Sequence, residues 1–108
     1  MAGDRSRADD AALVREVADG SQEALGVLYD RYIDVVHATA IRLTADRQLA
    51  EEVVQETFLA LWNRAELFDE RVGSLGAWLH TIARNRTVDR LRAAGRRPNL
   101  IPFSSAAG

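Results

Sequence analysis

Apolar side chains recur along the chain at the three- and four-residue steps of an amphipathic helix. The first long run, between residues 21 and 44, places its apolar positions on one stripe that we expect to be buried: Leu25, Leu28, Tyr29, Tyr32, Val35, Val36, Ala40 and Leu43. A second run, between residues 46 and 63, has Leu49, Val53, Val54, Phe58, Leu61 and Trp62. No alternating strand pattern bounded by turn residues occurs, so an all-helical chain is predicted.

Capping residues mark where the long helices begin. Ser21, Asp46 and Ser74 each precede an apolar run, and their side-chain oxygens can accept hydrogen bonds from the free N–H groups of a first helical turn. The fourth helix is predicted to run from Leu75 to about Ala94, a length of roughly 30 Å at about 1.5 Å per residue.

A shorter helix is predicted before these three. It starts after Asp9 or Asp10 and ends at Gly20, because glycine tolerates the left-handed conformation that closes a helix. Gly95 ends the fourth helix in the same way. The predicted fold is therefore all-α, a compact bundle of three long helices plus a short N-terminal helix. Residues 10–97 form the domain, residues 1–9 a flexible N-terminus, and residues 98–108 the start of a linker or a disordered tail.

The core of this bundle is predicted from the apolar stripes. Eight side chains should be mostly buried: Leu28, Tyr32, Val54, Phe58, Leu61, Trp62, Leu79 and Ile82.

Composition excludes several classes of function. The 108 residues contain no cysteine, so a disulfide scaffold, a cysteine zinc site and a cysteine nucleophile are excluded. The two histidines, His37 and His80, have no carboxylates arranged around them as ligands, and we expect no metal and no cofactor. No apolar run approaches the ~20 residues that cross a bilayer. We therefore expect no membrane association and a cytoplasmic location.

The net charge of −2 conceals a strong asymmetry between the two parts of the chain. Residues 1–70 hold 15 acidic residues against 7 arginines, whereas residues 71–108 hold one acidic residue against 7 arginines. The C-terminal part thus has the charge of a nucleic-acid-binding surface, although a solvated arginine-rich helix face is an equally good interpretation.

Aromatic and amide side chains near these arginines favour a single-stranded partner. Phe68 and Trp78 could stack on unpaired bases, and Asn85, about two turns after Trp78, could read a base edge. The alternatives are that both rings anchor the core and that Asn85 hydrogen bonds inside the bundle. Asp89, the one acid of this region, is expected to pair with Arg86 or Arg92.

The third helix has a different polar face. Four residues form an acidic stripe with one apolar member, which suits a basic protein partner, although an ordinary solvated face is also an adequate explanation. They are Glu52, Gln55, Glu56 and Leu59.

The order of these motifs resembles a known family. Residues 50–62 (AEEVVQETFLALW) resemble region 2.2 of bacterial sigma factors of the extracytoplasmic-function group, and residues 78–92 (WLHTIARNRTVDRLR) resemble regions 2.3 and 2.4. Residues 28–32 and 40–44 are similar to region 2.1.

The resemblance implies a transcription initiation factor domain and no enzyme. Such a domain binds core RNA polymerase through the beta-prime clamp helices, here by Glu52, Gln55, Glu56 and Leu59. It recognises and helps to melt the promoter minus-ten element by capturing the non-template single strand, with one base flipped into a pocket beside residues 67–74. The resemblance places DNA contacts in the loop of residues 67–74, at the start of the fourth helix and at Asn85. Together with the aromatic and arginine side chains argued above, the predicted DNA-binding residues are Phe68, Arg71, Ser74, Trp78, Arg84, Asn85, Arg86 and Arg92. An anti-sigma factor is a further candidate partner.

Two other classes remain open. A helical protein-interaction or regulatory domain without DNA binding would not require the charge asymmetry. A helix-turn-helix repressor would need a short recognition helix after a tight turn, which the long fourth helix after an eight-residue loop fits poorly.

Overall fold

The computed structural model describes the backbone of residues 2–96 and the side chains of residues 9–96. Within this part the chain forms four α-helices, one short 3-10 turn and no strand, which confirms the all-α prediction. The helices are α1 (Ala2–Ala18), α2 (Gln22–Thr44), α3 (Arg47–Arg64) and α4 (Leu75–Ala93), and the 3-10 turn is Ala65–Leu67. The predicted linker or tail, 98–108, lies outside the described residues, and the predicted domain boundaries stay predictions.

The start of the first helix was predicted wrongly. α1 begins at Ala2, not after Asp9 or Asp10, and is 17 residues long. Alanine and arginine, which favour helix by intrinsic propensity, occur among residues 2–9 without contributing to an apolar stripe. A search for hydrophobic periodicity therefore misses these turns.

The predicted caps are present. Ser21, Asp46 and Ser74 each accept the backbone N–H of the residue three positions on, at 3.0–3.1 Å. Gly20 and Gly95 have φ of +94° and +70°, the left-handed conformation predicted for both helix ends. Local hydrogen bonding thus fixes where α2, α3 and α4 begin.

Most of the predicted core is confirmed. Leu28, Val54, Phe58, Leu61 and Leu79 are buried, with Phe58 only 5% exposed. The other three predicted core residues are only half-buried: Tyr32, Trp62 and Ile82. Tyr32 and Trp62 pack against the edge of the core.

Two members of the α2 stripe are exposed, contrary to prediction. Tyr29 is 39% exposed: its ring contacts Phe58, with ring centroids 4.8 Å apart and planes tilted by 57°, and also lines an open groove. Val35 is 53% exposed, since no helix of the described chain covers it. The buried arc of α2 is therefore narrower than its apolar stripe.

The helices pack around α2, which contacts α1, α3 and α4. α3 also packs against α4, and α1 lies against the 3-10 turn. Arg96, just after α4, donates to the carboxylate of Asp46 and to the backbone carbonyl of Thr44, both at 3.1 Å. These contacts tie the end of α4 to the turn between α2 and α3.

Candidate functional site

The loop between α3 and α4 is shaped by its own hydrogen bonds. The carboxylate of Asp69 accepts from the backbone N–H, Nε and Nη2 of Arg71, each at 3.0 Å. The N–H of Val72 donates to the carbonyl of Asp69 and closes a tight turn. The Arg71 guanidinium holds the pKa of the Asp69 carboxyl below its usual value, and the carboxylate raises the pKa of Arg71.

This turn borders a cavity, which we call the loop cavity, with a volume of about 280 Å³. Phe68 and Trp78 contribute its aromatic lining, with ring centroids 5.5 Å apart and planes tilted by 42°. Its other lining residues are Leu67, Asp69, Val72, Gly73, Ser74, Ala77 and Thr81. The volume is close to the lower end of small-ligand pockets, about 300 Å³. Three predicted site residues therefore meet here: Phe68, Ser74 and Trp78.

A second depression, the α4 cleft, adjoins the loop cavity and has a volume of about 370 Å³. Leu67 and Trp78 line both spaces, and Asn85 and Arg86 line the α4 cleft alone. Asn85 is exposed and makes no hydrogen bond within residues 9–96, so the structure does not show the hydrogen bond inside the bundle that was its alternative role. Its amide is free to meet a ligand that reaches Trp78.

The arginines of α4 differ from one another. In the described part of the chain Arg84, Arg86 and Arg92 form no ion pair, and Arg84 and Arg92 are exposed. The predicted pairing of Asp89 with Arg86 or Arg92 is wrong, because the exposed Asp89 forms no ion pair among residues 9–96. Separation by three residues permits such a pair but does not compel it, since water solvates both charges equally well.

Arg90 has a different environment. Its Nη1 lies 3.2 Å from Oε2 of Glu52, and its Nε donates to Oε2 of Glu56. Sequence reasoning missed this contact between α3 and α4. The position of Arg90 directly before the buried Leu91, beside the packed face of α4, is the signal that could have suggested it.

The acidic stripe of α3 is thereby divided into two parts. Glu52 and Glu56 face Arg90, whereas Gln55 and Leu59 line a groove of about 620 Å³ between α2 and α3, which we call the α2–α3 groove. Its other lining residues are Gln22, Leu25, Tyr29, Phe58 and Trp62. Leu59 is 58% exposed, so the accessible part of the stripe is largely apolar.

Neither a membrane span nor a metal cluster occurs among residues 2–96. No helix there is long and apolar enough to cross a bilayer. No group of three or more histidine, aspartate or glutamate side chains is placed to hold a metal ion within the described residues.

Comparisons with known proteins match the same part of the chain. Residues 28–97 match the family model of sigma-70 region 2. The ECF RNA polymerase sigma factor SigK of Mycobacterium ulcerans is 39% identical over 94 residues, which cover 86% of this chain and 50% of that protein. The SigK of Mycobacterium bovis is 40% identical over 88 residues, which cover 82% and 47%. The chain thus spans about half the length of the curated relatives it matches.

Proposed function

The chain belongs to the sigma-70 region 2 family, and on that premise we propose that it acts as the region 2 domain of an extracytoplasmic-function sigma factor, which binds core RNA polymerase and captures the non-template strand of the promoter minus-ten element. This role helps to recognise and melt the promoter. It makes and breaks no covalent bond, so no residue is assigned a catalytic role. We expect the protein to act in the cytoplasm, where its proposed partners are.

The observation that carries this proposal is the aromatic loop cavity together with the adjoining α4 cleft, which Asn85 and Arg86 line. An unpaired base loses stacking energy, and an aromatic side chain restores ~1–3 kcal/mol of it per base. Phe68 and Trp78 offer aromatic surface for one flipped base. Opening the duplex costs about 1.4 kcal/mol of stacking per step, so such a pocket offsets part of the cost of melting.

The other strand contacts follow from position and charge. Asn85, in the adjoining α4 cleft, is proposed to hydrogen bond to a base edge. Arg84, Arg86 and Arg92 are proposed to contact phosphates, which releases counterions whatever the sequence.

Two residues of the loop have a smaller proposed part. Arg71 already donates from Nε and once from Nη2 to Asp69, so three of its five N–H donors, two on Nη1 and one on Nη2, are left for a phosphate. Ser74 caps α4 and lines the loop cavity, where its hydroxyl can still donate to a base.

Polymerase docking is proposed for the α3 stripe. We place its centre at Gln55 and Leu59 in the α2–α3 groove, and Glu52 and Glu56 at its edge, because Arg90 already balances part of their charge. The proposed partner is the pair of beta-prime clamp helices. An anti-sigma factor would compete for the same domain.

One titration tests strand capture. The full chain is added to labelled oligonucleotides with the non-template minus-ten sequence, as single strand and as duplex, and fluorescence anisotropy is measured at several salt concentrations. We expect the single strand to bind more tightly and its affinity to fall steeply with salt. Equal, weak binding to both would contradict strand capture.

A pull-down of core polymerase tests docking separately. Capture of polymerase without any strand binding would favour the alternative of a protein-interaction domain without DNA binding.

A further inference from the structure

Asp10 is a charged residue buried in the helical domain. It is 4% exposed, while its neighbour Asp9 is exposed. A buried carboxylate is costly unless it is paired and hydrogen bonded. Asp10 meets this requirement through two α2 residues, since Nη1 of Arg31 lies 2.5 Å from its Oδ1 and the hydroxyl of Tyr32 donates to its Oδ2. We call these three side chains the Asp10 clasp.

The clasp reaches α4 through the ring of Tyr32. A Cβ atom placed on Gly76 would lie 3.3 Å from Cε1 of Tyr32, so the ring packs closely on the first turn of α4 because residue 76 has no side chain. Burial and the hydrogen bond to Asp10 raise the pKa of Tyr32 to about 12, so the hydroxyl keeps its proton at neutral pH. This turn follows directly on Ser74, which lines the loop cavity.

α1 also lies behind the aromatic pair. Ala11 and Val14 of α1 face Ala65 and Phe68 around a small cavity of about 230 Å³, the α1 cavity. Phe68 lines both the α1 cavity and the loop cavity and packs on Trp78. Two contacts, one through Tyr32 and one through Phe68, therefore connect α1 to the proposed base pocket.

We propose that Asp10 is a positioning residue for strand binding: by clasping α1 to α2 it holds Phe68, Trp78 and the first turn of α4 in the arrangement that receives a base. This inference rests on the proposed function, because the strand is the ligand whose pocket is being held. It goes beyond the match to sigma-70 region 2, which begins at residue 28 and leaves α1 outside.

The test uses the full chain with Trp62→Phe, which leaves Trp78 as its one tryptophan. Asp10→Asn and Tyr32→Phe each remove one group of the clasp and keep the shape of the side chain. Asp9→Asn is the matched control, because it removes the same charge from the same helix at an exposed position. Val36→Ala is the control for lowered stability, since Val36 is buried on α2 one turn beyond Tyr32 but belongs neither to the clasp nor to the lining of the loop cavity. Each folded variant is measured for acrylamide quenching of Trp78 and for affinity to the single-stranded minus-ten oligonucleotide.

We expect Asp10→Asn and Tyr32→Phe to increase quenching of Trp78 and to weaken strand binding about tenfold, with an unchanged salt dependence. Loss of a negative charge alone would strengthen binding to a polyanion, so weaker binding by Asp10→Asn reports geometry. Asp9→Asn and Val36→Ala should leave quenching and affinity as they are.

The inference is overturned if both clasp variants only lower the melting temperature, with quenching and affinity unchanged. If the parent chain binds no strand, the proposed function fails. Quenching of Trp78 then still decides whether the clasp shapes the cavity, because that measurement needs no DNA.

Discussion

In the sequence, α3 has an acidic face and α4 a basic face, but in the structure the two faces differ in how many of their charges are paired within the fold. Glu52 and Glu56 on α3 share Arg90, which comes from the other face. Arg84 and Arg92 on α4 form no ion pair in the described part of the chain. A row of charges therefore does not tell how much charge is available to a partner. Arg84 and Arg92 of the basic face are therefore not neutralised by ion pairs within the described residues. The accessible centre of the acidic face is the apolar side chain of Leu59.

The largest expected effect comes from destabilising the core, because unfolding the domain would disrupt the faces of α3 and α4 together. Phe58→Ala should lower the free energy of unfolding by ~3–5 kcal/mol, because Phe58 is 5% exposed and packs on Tyr29. That is a large share of the stability of a small domain. Urea denaturation followed by circular dichroism measures it. A loss below ~1 kcal/mol would contradict the packing of α3 on α2 on which the comparison depends.

A smaller effect is expected at the α3 face, where polymerase is proposed to dock. Leu59→Ser and Gln55→Ala should weaken binding to core polymerase, Leu59→Ser by about 2 kcal/mol, and leave helicity unchanged. Glu52→Gln is the matched comparison and should weaken binding less, because Arg90 already balances this charge. Binding is measured by pull-down and competition at two salt concentrations. If Glu52→Gln weakens polymerase binding more than Leu59→Ser does, then charge, and not apolar contact in the α2–α3 groove, dominates docking.

Glu56→Arg is a poor probe of the same face. It would place a guanidinium against Arg90, whose Nε donates to Glu56. The variant would then disturb the packing of α3 on α4 as well as docking. Circular dichroism and urea denaturation should show lowered stability, which Gln55→Ala should not.

Arg92 and Arg90, both on α4, offer a direct test of whether an unpaired arginine contributes more to strand binding than a paired one. Arg92→Gln and Arg90→Gln change the net charge equally, but only Arg92 is unpaired within the described residues. Arg92→Gln should weaken strand binding for every sequence and flatten the salt dependence by about 0.7 in log–log slope, the value of one single-strand phosphate contact. Arg90→Gln should leave the slope unchanged. Anisotropy titrations measure both slopes, and equal slopes would mean that the pairing of Arg90 does not persist in the complex.

Asn85→Ala should affect base preference and not the salt dependence. The change removes no charge, so the slope of log affinity against log salt concentration should be unchanged. Discrimination between bases at one position should fall by about 1 kcal/mol. Titrations with base-substituted oligonucleotides measure this. Unaltered preference would assign specificity to the loop of residues 67–74 alone.

The features that could be predicted are those that local sequence determines. The caps Ser21, Asp46 and Ser74 depend on contacts three residues away, and they were predicted at the right residues. On α3, periodicity predicted the buried Val53, Val54, Phe58 and Leu61 but missed the small buried residues Ala50, Thr57 and Ala60.

The features that could not be predicted join distant segments. The ion pairs of Arg90 span 34 and 38 residues, and the Asp10 clasp spans 21 and 22. No helical spacing rule reaches that far. The loop cavity is an intermediate case, since Phe68 and Trp78 were predicted from their position near the arginines, whereas their tilted ring contact across the loop could not be predicted from spacing.

The smallest expected effect concerns the ion pair of Asp69 with Arg71, which lies within the loop between α3 and α4. Arg71 lowers the pKa of Asp69 in the folded chain. The pair therefore stabilises the folded loop at pH values above the usual aspartate pKa near 3.9, and this stabilisation is lost as the pH falls through the lowered pKa. Both groups are solvent-exposed, so the change should be confined to the loop. Trp78 fluorescence of the Trp62→Phe chain should therefore shift below about pH 4 while helicity persists. Asp69→Asn should abolish that step because it removes the titrating group. A step that survives in Asp69→Asn would show that another acid, and not the Asp69–Arg71 pair, governs the conformation of the loop.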